Sequence, residues 1–181
     1  MKRILIQIAL LASIILTALL LTGCNVFIKK VPNEVETRQF DYSDFTAVDI
    51  GDAFYYEIHR ADTYSISITA GIELLEHIRV AVQGDTLTID VRPSFNIRTL
   101  YPMEAIITMP YLYGLDGSGA TEGVVSGFNS TENLNIQLSG ASDLVLTDMS
   151  TGDFNCTLSG SSSLKLKNVK TGDADFDLTG A

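Results

Sequence analysis

The chain has 181 residues, of which 46 % are hydrophobic, and carries 12 Lys+Arg against 22 Asp+Glu for a formal net charge of −10. A surface this acidic repels phosphate backbones and anionic headgroups, which excludes nucleic acid as a partner and leaves any hold on a membrane to a means other than charge. Two histidines and two cysteines far apart in the chain make up neither a zinc site nor a disulfide framework.

The chain opens with Lys2 and Arg3, an apolar run from Ile4 to Leu21 broken only by Gln7, Ser13 and Thr17, and then Leu21-Thr22-Gly23-Cys24. A basic start, an apolar middle and small residues at its end make an export signal. The stretch resembles the bacterial lipoprotein signal with its lipobox. That resemblance implies cleavage before Cys24 and attachment of diacylglycerol to its thiol, so that 1–23 is a signal peptide and 24–40 a lipidated tether. The alternative is a plain transmembrane anchor, since about 17–25 apolar residues span a bilayer. On either reading Lys2 and Arg3 hold the start of the segment inside and the rest lies in the cell envelope, periplasmic or at the cell surface. Lipidation would hold the chain to the membrane, each buried CH₂ contributing about 0.8 kcal/mol.

Residues 25 to 40, NVFIKKVPNEVETRQF, show no sustained apolar period and read as a spacer. From Phe45 onward the pattern is alternation broken by turns. Ala47 to Ile50, Phe54 to His59, Tyr64 to Thr69, Leu87 to Val91 and Ile106 to Met109 are predicted strands. Gln83-Gly84-Asp85-Thr86 is a hairpin signal in which Gly84 takes positive φ. Only residues 71–77 have a helical look, over one or two turns.

Beyond Leu115 the chain repeats itself: LNIQLSGASDLVLTDMSTGD is followed at once by FNCTLSGSSSLKLKNVKTGD. Gly119, Gly140, Gly160 and Gly180 recur about every 20 residues, each after Ser or Thr. Aligning the copies stacks Leu134 on Phe154 and Ala174, Ile136 on Cys156 and Phe176, and Leu138 on Leu158 and Leu178. Strand side chains alternate between faces, so these positions point inward while Asn135, Asn155, Asp175, Gln137, Thr157 and Asp177 face solvent. Leu144 and Leu146 stack in the same way over Leu164 and Leu166. One copy cannot bury its own apolar face, so the copies need one another. The expected fold is all-β: a right-handed parallel β-helix, or β-solenoid, with coils of about 20 residues, capped by an irregular sheet from residues 45–115. The third copy stops at its corner, Thr179-Gly180-Ala181, which implies either a further coil or end-to-end pairing of two chains.

Residues 41–181 resemble the family described as putative auto-transporter adhesin head domains with a GIN motif, a former domain of unknown function. The likeness rests on Phe45-Thr46-Ala47-Val48-Asp49-Ile50-Gly51, on Gly84-Asp85-Thr86-Leu87-Thr88-Ile89, on Met109-Pro110-Tyr111-Leu112 and on the Ser-Gly-Ala corners. It implies an exported, often lipidated β-solenoid and brings no catalytic residues with it.

Nothing in the residues demands chemistry. Only His59 and His77 could serve a Ser-His-Asp arrangement, and no Gly-x-Ser-x-Gly elbow is present. Cys156 falls in an inward register as a small apolar core residue. The outward acids recur because Asp favours the recurring turns, so a glycan-cleaving pair among them is the weaker reading. Asp153 and Asp173 occupy equivalent Thr-Gly-Asp corners, where stacked carboxylates would either be solvated or hold a weak cation. The function expected is therefore not enzymatic and needs no cofactor. It is a membrane-anchored lipoprotein that binds a glycan or envelope protein, or else an envelope structural or stress-signalling component acting through self-association or a membrane partner.

Overall fold

A computed structural model of the chain describes residues 34–92 and 102–180; Cys24 and the proposed signal lie outside them. Fourteen strands and one helical turn follow in order: β1 Val35–Phe40, β2 Ala47–Ile50, β3 Phe54–Arg60, β4 Ser65–Gly71, α1 Ile72–Leu75, β5 Ile78–Gln83, β6 Thr86–Val91 and β7 Met103–Met109. Then come β8 Gly114–Gly117, β9 Glu122–Ser126, β10 Leu134–Leu138, β11 Asp143–Ser150, β12 Phe154–Ser159, β13 Ser163–Lys170 and β14 Ala174–Thr179. They form two seven-stranded mixed sheets, ordered β1-β4-β7-β3-β9-β11-β13 and β14-β12-β10-β8-β2-β6-β5. Neither closes into a barrel.

The register is the one expected from the repeat. Leu134 pairs with Phe154 and Phe154 with Ala174, Ile136 with Cys156 and Cys156 with Phe176, all parallel. Leu144 pairs with Leu164 and Leu146 with Leu166 in the other sheet. Each 20-residue copy thus gives one strand to each sheet, a unit here called a rung, and the inner faces of the two sheets share one core.

Along a column, burial depends on position in the stack. Leu138 is 1 % exposed, Leu158 is half-buried, and Leu178, in the outermost described rung, is 66 % exposed. A leucine packs only if a rung lies on each side of it, so the column is buried at its inner end alone.

Residues 45–115 do not form a separate cap. β2 and β6 pair in parallel, as do β3 and β7, and β2–β3 also pairs in parallel with β8–β9. The first rung in sequence, β2–β3, is therefore sandwiched between β6–β7 and β8–β9. The chain leaves it through β4, α1 and β5, lays down β6–β7 on one side, then crosses back to add β8–β9 on the other. Among the described strands the antiparallel pairs are β1–β4, β4–β7 and β5–β6.

A second departure concerns the spacer. Val35–Phe40 is an edge strand, antiparallel to β4. Its mostly exposed side chains leave no apolar period to detect. It is held by main-chain pairing and by side-chain bonds: Arg38 donates to Glu76 at 2.5 Å, and on the opposite face the hydroxyls of Thr37 and Thr69 lie 2.7 Å apart.

The glycine corners stack as backbone. Gly119, Gly140 and Gly160 have φ of 83°, 78° and 71°. The amide after each corner donates to the corner below: Ala141 to the Gly119 carbonyl and Ser161 to that of Gly140, both at 2.7 Å. The column starts one rung earlier than the glycines suggest, at Asp52, with φ 64° and its carbonyl accepting from Ala120 at 2.6 Å. Aspartate is among the few residues besides glycine that visit the left-handed region; here its carboxylate also accepts from the amide of the distant Val91 at 2.6 Å.

Candidate functional site

A rung has two strands and a connecting third side, and the third sides lie over one another. Asn129 bridges to Ser150, Ser130 donates to the Ser150 carbonyl at 3.0 Å, and Thr151 donates to the Lys170 carbonyl at 3.0 Å. Against this side packs the crossover from β7 to β8, which carries Tyr111 and Tyr113. Their rings stack with centroids 6.1 Å apart and planes 28° from parallel, and Tyr111 is 56 % exposed. Pro110 and the main-chain bond from Tyr113 to the Thr46 carbonyl at 2.7 Å set the path of this segment.

The two rings, with Asn129, Ser130, Thr131, Glu132 and Ser150, line an open cleft of about 530 Å³. A smaller hollow of about 210 Å³ shares Asn129 and Ser150 with it and continues to Asp148, Asn168 and Lys170. Together they form one groove crossing the rungs. Its polar groups are pre-set: Ser150 donates to the Asn129 carboxamide at 3.1 Å, and Asn168 donates to Asp148 at 2.7 Å. The bond from Asn168, with a second from Thr147, holds the Asp148 carboxyl below its ordinary pKa and so ionised. Asp148 and Asn168 turn the chain here with φ of 52° and 51°.

On the outer face of the other sheet, Asp49 of β2 lies beside Asp116 of β8. Partial burial raises both carboxyl pKa values, and the neighbouring Asp116 raises that of Asp49 further. A raised carboxyl pKa means that ionisation opposes folding, so the stability withheld at neutral pH returns as the pH falls through the raised values. Asp116→Asn is expected to raise the melting temperature at pH 7, by the equivalent of about 0.2–1 kcal/mol for a like-charged cross-strand pair. The gain should shrink on acidification and vanish below pH 3.8, the ordinary aspartate value.

The residues singled out in sequence fall in three places. Asp153 and Asp173 stack as expected, but each accepts or donates within the corner: Asn133 accepts from the Asp153 amide at 2.9 Å and Asp153 from the Asp173 amide at 3.2 Å. Among the described residues no group of three or more His, Cys, Asp or Glu is placed to hold a metal ion. Cys156 is a free thiol, buried, with its pKa pushed up to about 11 by desolvation. His59 stands on the outer face of the first sheet, between Glu57 and Ser126.

That last placement was not legible in sequence. Tyr55 donates to Glu57 at 2.7 Å, His59 Nε2 lies 2.8 Å from Glu57, and His59 Nδ1 lies 2.8 Å from Ser126 Oγ. The Tyr55 and His59 bonds lower the Glu57 pKa and favour its ionised form, to which His59 Nε2 donates. The order serine, histidine, carboxylate matches a nucleophilic triad. It stands on an open sheet face, with His59 40 % exposed, where water competes for every hydrogen bond. Nucleophilic catalysis also requires preorganised donors for an oxyanion, and none converge on Ser126 in the contacts described. The chain of bonds serves to tie β3 to β9. The Tyr111–Tyr113 pair was equally hidden: the Met109-Pro110-Tyr111-Leu112 step marks the family resemblance, but nothing in it shows that two tyrosine rings stack over a cleft.

The fold has solved counterparts. A putative adhesin from Bacteroides fragilis is 14 % identical, with a TM-score of 0.56 over 83 % of this chain and 99 % of that one. A putative adhesin from Parabacteroides distasonis is 12 % identical, with a TM-score of 0.63 over 82 % and 71 %. A putative lipid binding protein from the same organism is 15 % identical, with a TM-score of 0.61 over 81 % and 74 %. At such identities the likeness concerns the fold alone. No curated protein matches the sequence. The family model described as "putative auto-transporter adhesin, head GIN domain" matches residues 44–181. With the repeat, the paired register and this match in agreement, the chain belongs to the family of putative auto-transporter adhesin head GIN domains.

Proposed function

We propose that this protein is an exported lipoprotein, anchored through Cys24 on the extracytoplasmic side of a membrane, that binds an envelope or extracellular glycan or protein in an adhesive, non-catalytic role. The supporting observation is the open aromatic and polar groove on a family member whose repeated rungs otherwise carry hydrogen-bonded ladders. The rungs are read as coils of a right-handed parallel β-helix, a fold whose long outer sides offer extended binding surfaces. Family membership and the lipobox-like Leu21-Thr22-Gly23-Cys24 support the location. The anchor is tested by labelling cells with radioactive palmitate. The wild type should take up label in the membrane fraction and Cys24→Ala should take up none; equal labelling would overturn the anchor.

A second reading, self-association of the solenoid, is favoured by one observation. Leu166 on β13 and Phe176 and Leu178 on β14, the last described strand of each sheet, are exposed apolar residues, 43 %, 45 % and 66 % exposed. A strand edge with apolar neighbours invites pairing with another strand.

A further inference from the structure

We propose that the groove from Tyr111 to Asn168 is a binding site for a linear, uncharged polysaccharide, lying across the rungs with one sugar stacked on Tyr111. The proposal rests on the binding role given above and adds its place and ligand class. Four observations carry it.

Tyr111 keeps more than half its surface open while its ring is braced against Tyr113. A fixed, exposed aromatic face offers ready-ordered area to an amphipathic partner, and the C–H face of a sugar ring is such a partner. Apart from the Met149 thioether, the rest of the lining is carboxamide, hydroxyl, carboxylate and the Lys170 ammonium, groups that exchange hydrogen bonds with sugar hydroxyls. Asn168 stands one rung beyond Asp148, so polar groups recur along the groove at about the 4.8 Å spacing of parallel strands. An extended polymer of small units meets such a ladder repeatedly, where a compact ligand would use one rung. The lining holds two carboxylates, Glu132 and Asp148, against one ammonium, Lys170, and with the net charge of −10 it disfavours phosphorylated or uronate polymers.

Other occupants fit less well. A peptide added as a strand would run along the open edge of β13, parallel to one rung, whereas the groove crosses the rungs. Single-stranded nucleic acid stacks on tyrosines but needs a cationic track for its backbone.

The test is native electrophoresis of the full chain in gels cast with dextran, mannan, xylan or mixed-linkage β-glucan, with hyaluronate as the charged comparison. At least one neutral polymer should retard the wild type, and hyaluronate should not. Tyr111→Ala should weaken that retardation about tenfold, as loss of one aromatic anchor does. Tyr111→Phe should restore it, and the distant Glu73→Ala should leave it unchanged, with all variants melting at the wild-type temperature. If no neutral polymer retards the protein, the site is wrongly assigned. The binding role then stands or falls separately, on capture of envelope proteins or charged polymers. Retardation by a neutral polymer that Tyr111→Ala leaves intact would keep a glycan-binding role and overturn this groove as its place.

Discussion

Leu138→Asp is expected to remove most of the stability of the protein, whereas Leu178→Asp, two rungs along the same column, is expected to change it by less than about 0.5 kcal/mol. Leu138 has the paired strands β8 and β12 on either side and is 1 % exposed. Truncating such a leucine costs about 2–5 kcal/mol through lost transfer and cavity terms. A carboxylate in the same place must also be desolvated without a partner, or take a proton. Against a typical total of about 5–15 kcal/mol, that is unfolding or close to it. Leu158→Asp, half-buried, should fall between the two. Thermal melts of the three variants give the order, and equal losses would mean that the rungs do not stack as paired. The outermost position reports something else: Phe176→Lys should leave the melt in place and lower any self-association seen by light scattering. A protein that is monomeric at high concentration with or without the substitution would end the self-association reading.

The second large effect concerns the corners. Gly140→Ala should destabilise by several kcal/mol, Gly84→Ala by about 1–2 kcal/mol, and Gly71→Ala hardly at all. Gly140 and Gly84 both lie in the left-handed region, φ 78° and 63°, so both variants meet the intrinsic penalty of a Cβ there. At Gly84 and Gly71 nothing lies within 4 Å of the added carbon, and Gly71 has φ −58°. At Gly140 the carbon would be driven into the carbonyl of Gly119 in the adjacent rung, and that backbone cannot move without breaking its own bond to Ala141. Denaturant melts separate the conformational cost from the steric one. If Gly140→Ala lost no more than Gly84→Ala, the corners would not be in contact.

Gly123 shows the same logic inside the core. The Tyr56 ring lies where its side chain would be. Burial pushes the Tyr56 hydroxyl pKa upward, and that hydroxyl has no hydrogen-bond partner among the described residues. The glycine makes room for an aromatic ring that joins β3 to β9.

What could be read from the chain, and what could not, follows from how far apart in sequence the cooperating residues lie. The partnership of Leu134, Phe154 and Ala174 was legible because a fixed period places each residue over its copy, and the inward or outward alternation follows from strand geometry. The edge strand β1 was not, because main-chain bonds hold it and its side chains carry no pattern. Nor was the insertion of β2–β3 between β6–β7 and β8–β9, since crossing back over a rung leaves no local trace in composition. Asp52 escaped notice as a corner because it does a glycine's task with a different side chain. Both side-chain constellations of interest arise at these non-periodic junctions: the Tyr111–Tyr113 cleft where the crossover meets the third sides, and the Tyr55–Glu57–His59–Ser126 chain where two distant strands become neighbours. The periodic part of the chain builds the scaffold, and its interruptions build the surfaces that differ from rung to rung.

The central claim is that the protein attaches its cell to a neutral glycan through the Tyr111 groove. It is tested most directly by counting cells retained, under flow, on a surface coated with the polysaccharide that retards the protein. Cells making the wild type should be held, and cells lacking the gene should wash away. Cells displaying equal amounts of the Tyr111→Ala variant should be retained in numbers close to the deletion. Retention of the Tyr111→Ala cells at the wild-type level would contradict the account.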